Sequence, residues 1–310
     1  MQDKPQSQAV IDEPNENTIF MVWQFKDGID IQPTFKKLCG LMANINNSAA
    51  NRYPTAQASC VMGIGYNAWL CLDLPQPLPK ELTNFRAIKG DKHVAVSTPA
   101  DLHFHIRASE KSIVYDISAI LTDTLIDVAD CTEEIHGFRY WDGRSILGFV
   151  DGTENPHSAE EREFFSVIGD NDPNYRGGSY LFVQKYVHNM QAWRKLPVDE
   201  QEKIIGRSKQ DDIEMDDDTK PTNSHIALAN VGDDFKVVRD NMPFGNAGTN
   251  EMGTYFIAYA STFKTVNKML SNMFIGVPKG NYDRILDFSR AETGSLFFVP
   301  SLDMLDQFAE

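Results

Sequence analysis

Thr18-Ile-Phe-Met-Val-Trp-Gln-Phe25 is an almost unbroken apolar run behind a polar leader, and it reads as a mostly buried strand. The residues that follow change period. From 30 to 47, Ile31, Phe35, Leu38, Met42 and Ile45 recur every three or four positions, which draws one apolar stripe along an amphipathic helix. Residues 58–72, ASCVMGIGYNAWLCL, return to strand character, as one strand or two, before a loop with prolines at 75, 77 and 79. Leu102, Phe104 and Ile106 alternate with His103 and His105 in a further strand. Residues 111–129 set Val114, Ile117, Leu121, Leu125 and Val128 at helical spacing, and 133–141 are strand-like again. The order is β-α-β-β-α-β.

Beyond it lies an irregular stretch, 142–178, that holds GFVDGTENP and NDPNYRGG; loops of that length inside a compact protein tend to be functional. A strand at Tyr180–Val187 opens a second series, with a helical segment near 190–206, strands near 235–239 and 254–260, a helix near 262–273 and the terminal strand SLFFVP. The expectation is two similar α+β halves, 1–141 and 142–310, although no residue-level repeat joins them. The acidic run Asp211–Asp218 reads as a solvated loop, since it lacks the glycine and closing glutamate of a calcium loop.

Charge narrows the partners. The 310 residues carry 29 Lys and Arg against 44 Asp and Glu, a net charge of −15, which repels a phosphate backbone and argues against nucleic acid. The polar, acidic start lacks the layout of an export signal, and no apolar run reaches the length of a membrane span, so the expected location is the cytoplasm, with no membrane partner. Cys39, Cys60, Cys71 and Cys131 form no CxxC pair and read as reduced structural thiols.

Four places have chemical promise. In Gly148-Phe-Val-Asp151-Gly152-Thr-Glu-Asn-Pro156 the glycines allow unusual backbone conformations that could hold Asp151 against a ligand, although an aspartate between glycines also makes an ordinary turn. His103 and His105 share one strand face and could grip a metal; the apolar opposite face argues instead that they are simply exposed. His225 follows a turn or helix start, Pro221-Thr-Asn-Ser224. Arg239 ends the apolar strand Phe235-Lys-Val-Val238 and carries a permanent charge inward, toward either a structural carboxylate or a ligand.

Taken together, GFVDGTENP, the isolated His225, the pair Arg239-x-Asn241 and the terminal GSLFFVPS resemble the dye-decolourising peroxidase family, most closely its compact bacterial B-type, in the same order from about residue 15 to 305. The resemblance implies a haem b enzyme of two tandem ferredoxin-like halves with antiparallel sheets, of the dimeric α+β barrel type, with haem in the C-terminal half. It implies His225 as proximal iron ligand, Asp151 and Arg239 as the distal pair, Asn241 as an accompanying distal residue, Gly152 beside the cofactor, and Arg207 at a haem propionate. A carboxylate is expected behind the proximal ring, with Asp283 favoured over Asp287.

Such an allocation makes physical sense. A carboxylate-held imidazole is a strong donor to iron, Asp151 can shuttle the proton that peroxide must lose and regain, and Arg239 can stabilise negative charge on the departing oxygen. Hydrogen peroxide and one-electron donors such as dyes and phenols are the expected substrates, and a homo-oligomer, dimer or larger, the expected assembly. The ten residues from Ser301 offer no long tail for packaging as cargo in a protein shell. Two other readings compete. A non-catalytic protein that binds haem or releases its iron has no need of Asp151 and Arg239 opposite the iron, and an acidic interaction protein would bind no haem at all.

Overall fold

The computed structural model describes residues 5–310. In the first half the elements are β1 (Asn17–Phe25), α1 (Gln32–Arg52), β2 (Ser59–Gly65), α2 (Tyr66–Cys71), the short pair β3 (Ile88–Lys89) and β4 (Val94–Ala95), β5 (Leu102–Ala108), α3 (Lys111–Leu125) and β6 (Ala129–Phe138). The second half runs α4 (Ala159–Ser166), β7 (Ser179–His188), α5 (Met190–Trp193), α6 (Val198–Ile205), α7 (His225–Ala229), β8 (Val238–Arg239), β9 (Met242–Asn246), β10 (Glu251–Ala260), α8 (Phe263–Ile275), β11 (Ser289–Ala291), β12 (Ser295–Val299) and α9 (Leu302–Ala309).

The topology contains the repeat that the residues hide. The first half orders its strands β2-β5-β1-β6 and the second β9-β10-β7-β12, so each is antiparallel with the order second, third, first, fourth, and each is a ferredoxin-like unit. The two sheets join at both edges. Phe297 and Phe298 of β12 pair with Gly65 and Ile64 of β2, while Phe244 of β9 pairs with Gly137 of β6, and the eight strands close into a barrel. Closure removes the open edges that isolated sheets would expose. The second seam is tight enough to require glycine, because a Cβ on Gly137 would lie 2.6 Å from that of Met242.

Most barrel strands are covered on both faces, although β6 leaves Glu134, His136 and Phe138 exposed. Outside, α1, α3, α8 and α9 lay their apolar stripes on the sheets, with Phe35, Leu38 and Met42 of α1 and Val114, Ile117 and Leu121 of α3 fully buried. Inside, Phe20, Val61, Leu181, Tyr255, Tyr259 and Phe297 fill the barrel. This corrects the reading of His103 and His105 as exposed: both are wholly buried, because the face opposite Leu102, Phe104 and Ile106 looks into the barrel rather than into water. His105 Nδ1 lies 2.8 Å from the Tyr259 hydroxyl, and Phe20 stacks on the His105 ring. Among the described residues no group of three or more His, Cys, Asp and Glu side chains that could hold a metal ion occurs.

Burial sets a pH dependence. The His103 ring is pushed from its ordinary 6.5 down to about 3 by loss of hydration, so it is neutral in the fold. Between those values the unfolded chain binds the extra proton, and stability rises with pH across that window and is lost as pH falls below about 6.5. A thermal-melting series from pH 7 to pH 4 should fall less steeply in His103→Gln than in the unaltered protein; equal slopes would show that His103 is not part of the acid sensitivity.

Other differences have local causes. Residues 66–71 form a helix rather than strand, for a short apolar run does not declare its own period; Trp69 packs edge-on against Tyr175, Phe298 and Phe308. The helix expected to 129 ends at Leu125, and Ala129 already pairs with Phe25. Strand β9 carries no strong pattern of its own, and helix α9, whose Leu302, Leu305 and Phe308 do fall at helical spacing, follows the strand with which the sequence reading closes. Cys39 and Cys60 are buried thiols, each pushed up to about 12 by burial, whereas Cys71 and Cys131 are exposed; all four are free. No helix among the described residues is long and apolar enough to cross a membrane.

Candidate active site

On the outer face of the C-terminal sheet the helices stand away from the strands and leave a cleft. Thr254 and Phe256 of β10 and Tyr186 and His188 of β7 form one wall, Val266, Met269 and Met273 of α8 another, and residues 145–151 close it. Most of the lining is apolar. Among the polar side chains that line it are His225, Asp151, Arg239, Asn241 and His188.

His225 is the first residue of α7, a helix begun by the Ser224 hydroxyl, which accepts from the Ala227 amide. Its Nδ1 donates to Asp283 Oδ2 at 2.7 Å, and Asp283 is wholly buried. The other Asp283 oxygen accepts from the Ile285 amide, which caps a 3₁₀ turn and fixes the carboxylate. With Nδ1 committed, Nε2 faces the cleft without a hydrogen-bond partner among the described residues. Asp287 is elsewhere, bonded to Lys92, His93 and Tyr282.

Across the cleft, Asn241 donates to both oxygens of Asp151 at 3.3 Å, and its own carbonyl accepts from the Ile257 amide of β10. Gly152 donates its amide to Asp151 Oδ1 at 2.7 Å, in a turn whose φ of +78° suits glycine. Arg239 is held by its backbone: the Asn155 side chain donates to its carbonyl at 2.7 Å and accepts from its amide at 3.0 Å. Its guanidinium makes no ion pair among the described residues, and Nε is buried without a partner. Arg239 is half-buried, and the buried, unpaired Nε of such a cation is costly unless a ligand answers it. A second cavity, bounded by Arg139, Arg144, Pro156 and Pro243, reaches Asp151, Arg239 and Asn241 from other neighbours.

Arg207 lies in a groove that continues past His225, Asp151 and Arg239, but its Nε donates to Asp212 at 2.8 Å and its NH1 is 3.6 Å from Glu214. The acidic loop thus supplies its partners. Two residues of the cleft escaped the sequence reading. Asn155 sat unremarked inside GFVDGTENP, and His188 lies between Ser289 and Thr254, at 2.8 and 2.9 Å, with its ring pushed down to about 4 by burial and so uncharged. An alternating strand gives no sign that one histidine faces a cleft.

Haem meets these residues well: an imidazole nitrogen free on one side, a flat apolar gap between sheet and helix, and an unanswered cation with a fixed carboxylate on the other. The class such a site defines is that of the haem peroxidases. Comparison with known proteins agrees. Residues 7–139 match the family model described as Dyp-type peroxidase, N-terminal, and 142–304 that described as Dyp-type peroxidase, C-terminal. A dye-decolorizing peroxidase of Rhodococcus erythropolis is 47% identical over 94% of this chain and 85% of its own length. The crystal structure of a dye-decolorizing peroxidase from Bacteroides thetaiotaomicron superposes with a TM-score of 0.96 at 51% identity, over 99% of both chains. A DypB variant of Rhodococcus jostii solved in complex with heme gives 0.92 at 42%, over 98% of this chain and 99% of its own. The chain belongs to the Dyp-type peroxidase family and is a haem-dependent peroxidase.

Proposed function

We propose that His225 is the proximal ligand of haem b and that Asp151, Arg239 and Asn241 form the distal machinery acting on hydrogen peroxide. The observation that carries this reading is the pairing of His225 with a wholly buried Asp283 on one side of the cleft and an unpartnered Arg239 guanidinium on the other. When bound, haem supplies the iron at which peroxide is reduced and from which donors are oxidised one electron at a time.

The chain's own groups divide the remaining work. Asp283 holds the His225 ring in the tautomer that presents Nε2. Asp151 takes a proton from entering peroxide and returns it to the departing oxygen, while Asn241 and Gly152 fix the carboxylate for both transfers. Arg239 stabilises the negative charge that develops on that oxygen. The cavity at Arg139 and Arg144 serves as the peroxide entrance, for it reaches the distal trio without crossing the apolar gap. Dyes and phenols are the proposed donors. A division into halves at 141/142, cytoplasmic residence and self-association complete the proposal; exposed Tyr115 and Ile120 on α3 support the last.

Arg207 is proposed to meet a haem propionate from within its acidic surroundings. Arg207→Ala should speed haem dissociation by about tenfold, the scale of one hydrogen bond to a charged group, while the peroxide rate per bound haem stays unchanged. Unchanged dissociation, followed by transfer to an apoprotein acceptor, would remove the propionate role. The whole reading is tested by titrating haem into purified protein and assaying peroxide-dependent oxidation of a phenol. One haem per chain with turnover supports it, haem uptake without turnover favours the haem-handling alternative, and no haem uptake overturns both.

A further inference from the structure

Resting on the distal reading above, we propose that Arg107, on β5 of the N-terminal half, is a positioning residue for the peroxide reaction and acts through Asp240. Arg239, Asp240 and Asn241 are consecutive at the end of a strand, where side chains alternate between faces. Arg239 and Asn241 therefore enter the cleft, and Asp240 points the other way, into the barrel, where it is 1% exposed. There Arg107 NH1 donates to Asp240 Oδ2 at 2.8 Å, between two side chains that are each almost wholly buried.

The arginine is itself anchored on other segments: Nε donates to Ser59 at 3.2 Å, NH2 donates to the Ala9 carbonyl, and Asp12 approaches at 3.5 Å. The other groups facing Asp240 are Nε2 of His105, 3.4 Å away, and the Arg162 and Asp12 charges. Asp240 has no carboxylate-binding backbone turn of its own, and its Oδ1 lacks any partner. Its amide donates to the Ile257 carbonyl of β10, but its carboxylate is held by Arg107, and through a single peptide on each side this hold bears on the directions of Arg239 and Asn241. Asn155 clamps the Arg239 backbone from the cleft side, and Arg107 clamps the next residue from the barrel side. The distal site of one half thus depends on an arginine of the other.

The test uses haem-loaded protein at matched occupancy. Arg107→Met and the isosteric Asp240→Asn should lower the second-order rate with hydrogen peroxide by about ten- to a hundredfold, the scale on which small misplacements act, without changing haem stoichiometry. Arg107→Lys, which restores the charge, should recover part of the loss. Introduced into Arg239→Leu, Asp240→Asn should cost less than it does alone, because the part of its effect that passes through Arg239 is already lost. Hydrogen exchange provides a readout independent of turnover: amides of 238–242 should exchange faster in Asp240→Asn, with 225–229 unchanged. Full peroxide rates in both Arg107→Met and Asp240→Asn overturn the proposal, as do losses that multiply with Arg239→Leu. If Arg107→Met does not fold, Asp240→Asn and Arg107→Lys decide alone. Should Arg239→Leu itself keep the normal rate, it is the distal reading that has failed.

Discussion

Arg239→Leu should slow the bimolecular reaction with hydrogen peroxide by about 10²–10³-fold, the usual worth of one fixed electrostatic donor, while haem stays bound through His225. Among the described residues the side chain has no ion-pair partner to strand, and Asn155 grips only its backbone, so leucine can replace it without unravelling the turn. Removing a half-buried charge whose Nε has no partner should leave the melting temperature equal or raised. Asp151→Asn keeps size and loses the proton shuttle, for which about 10²–10⁴-fold is typical, but the loss should sit at the low end. The cavity at Arg139 and Arg144 reaches Asp151, so water can stand in for a carboxylate there, whereas water cannot supply the fixed positive charge of a guanidinium. Stopped-flow absorbance at matched haem occupancy measures both. If neither rate falls tenfold, the pair is not catalytic and the haem-handling reading gains.

The site was legible to different depths. Asp151, His225 and Arg239 stand out in the sequence because each sits in a local string with its own constraint, a glycine-flanked turn, a helix start and a strand end, whereas Asn241 is singled out by the resemblance. Asp283 could be singled out only by resemblance, since 58 residues separate it from His225 and a carboxylate in a loop has no marked pattern; folding brings them to 2.7 Å. The partner of Arg107 was invisible for the same reason. Burial was misjudged at His103 and His105, where alternation correctly gave two faces but could not tell that the polar face closes upon itself inside a barrel. An open sheet with the same strand would have left them in water.

Fold reading succeeded where periodicity was long. Strand β1, helices α1, α3 and α8 and strand β7 show several turns or pleats of one pattern and were placed to within a few residues. It failed where the element is short or where its cause is remote. Met242–Asn246 forms a strand because Glu251–Ala260 and Gly137 pair with it, not because of its own composition, which includes a proline, a glycine and an asparagine. Closure of the barrel is likewise a property of two seams, each a couple of residue pairs long.

His225→Ala should abolish stable haem binding. The substitution removes the imidazole nitrogen that faces the cleft, and what remains on that side is apolar apart from Asp283. It also leaves Asp283 Oδ2 without its partner at zero exposure, a penalty of about 1–3 kcal/mol that should appear as a lower melting temperature even in haem-free protein. The loss is therefore double, to cofactor and to fold, and the two parts can be separated. Imidazole added to the medium can occupy the vacated space, donate to Asp283 and offer its second nitrogen to haem, so millimolar imidazole should restore both the haem absorption band and part of the melting temperature. Asp283→Asn gives the complementary result: an amide can still meet His225, so haem should be retained, with a weaker donor behind the metal and an altered spectrum. A His225→Ala protein with the normal spectrum, one haem per chain and full turnover would sink the axial assignment. Rescue of the melting temperature alone would place His225 in the scaffold rather than at the iron.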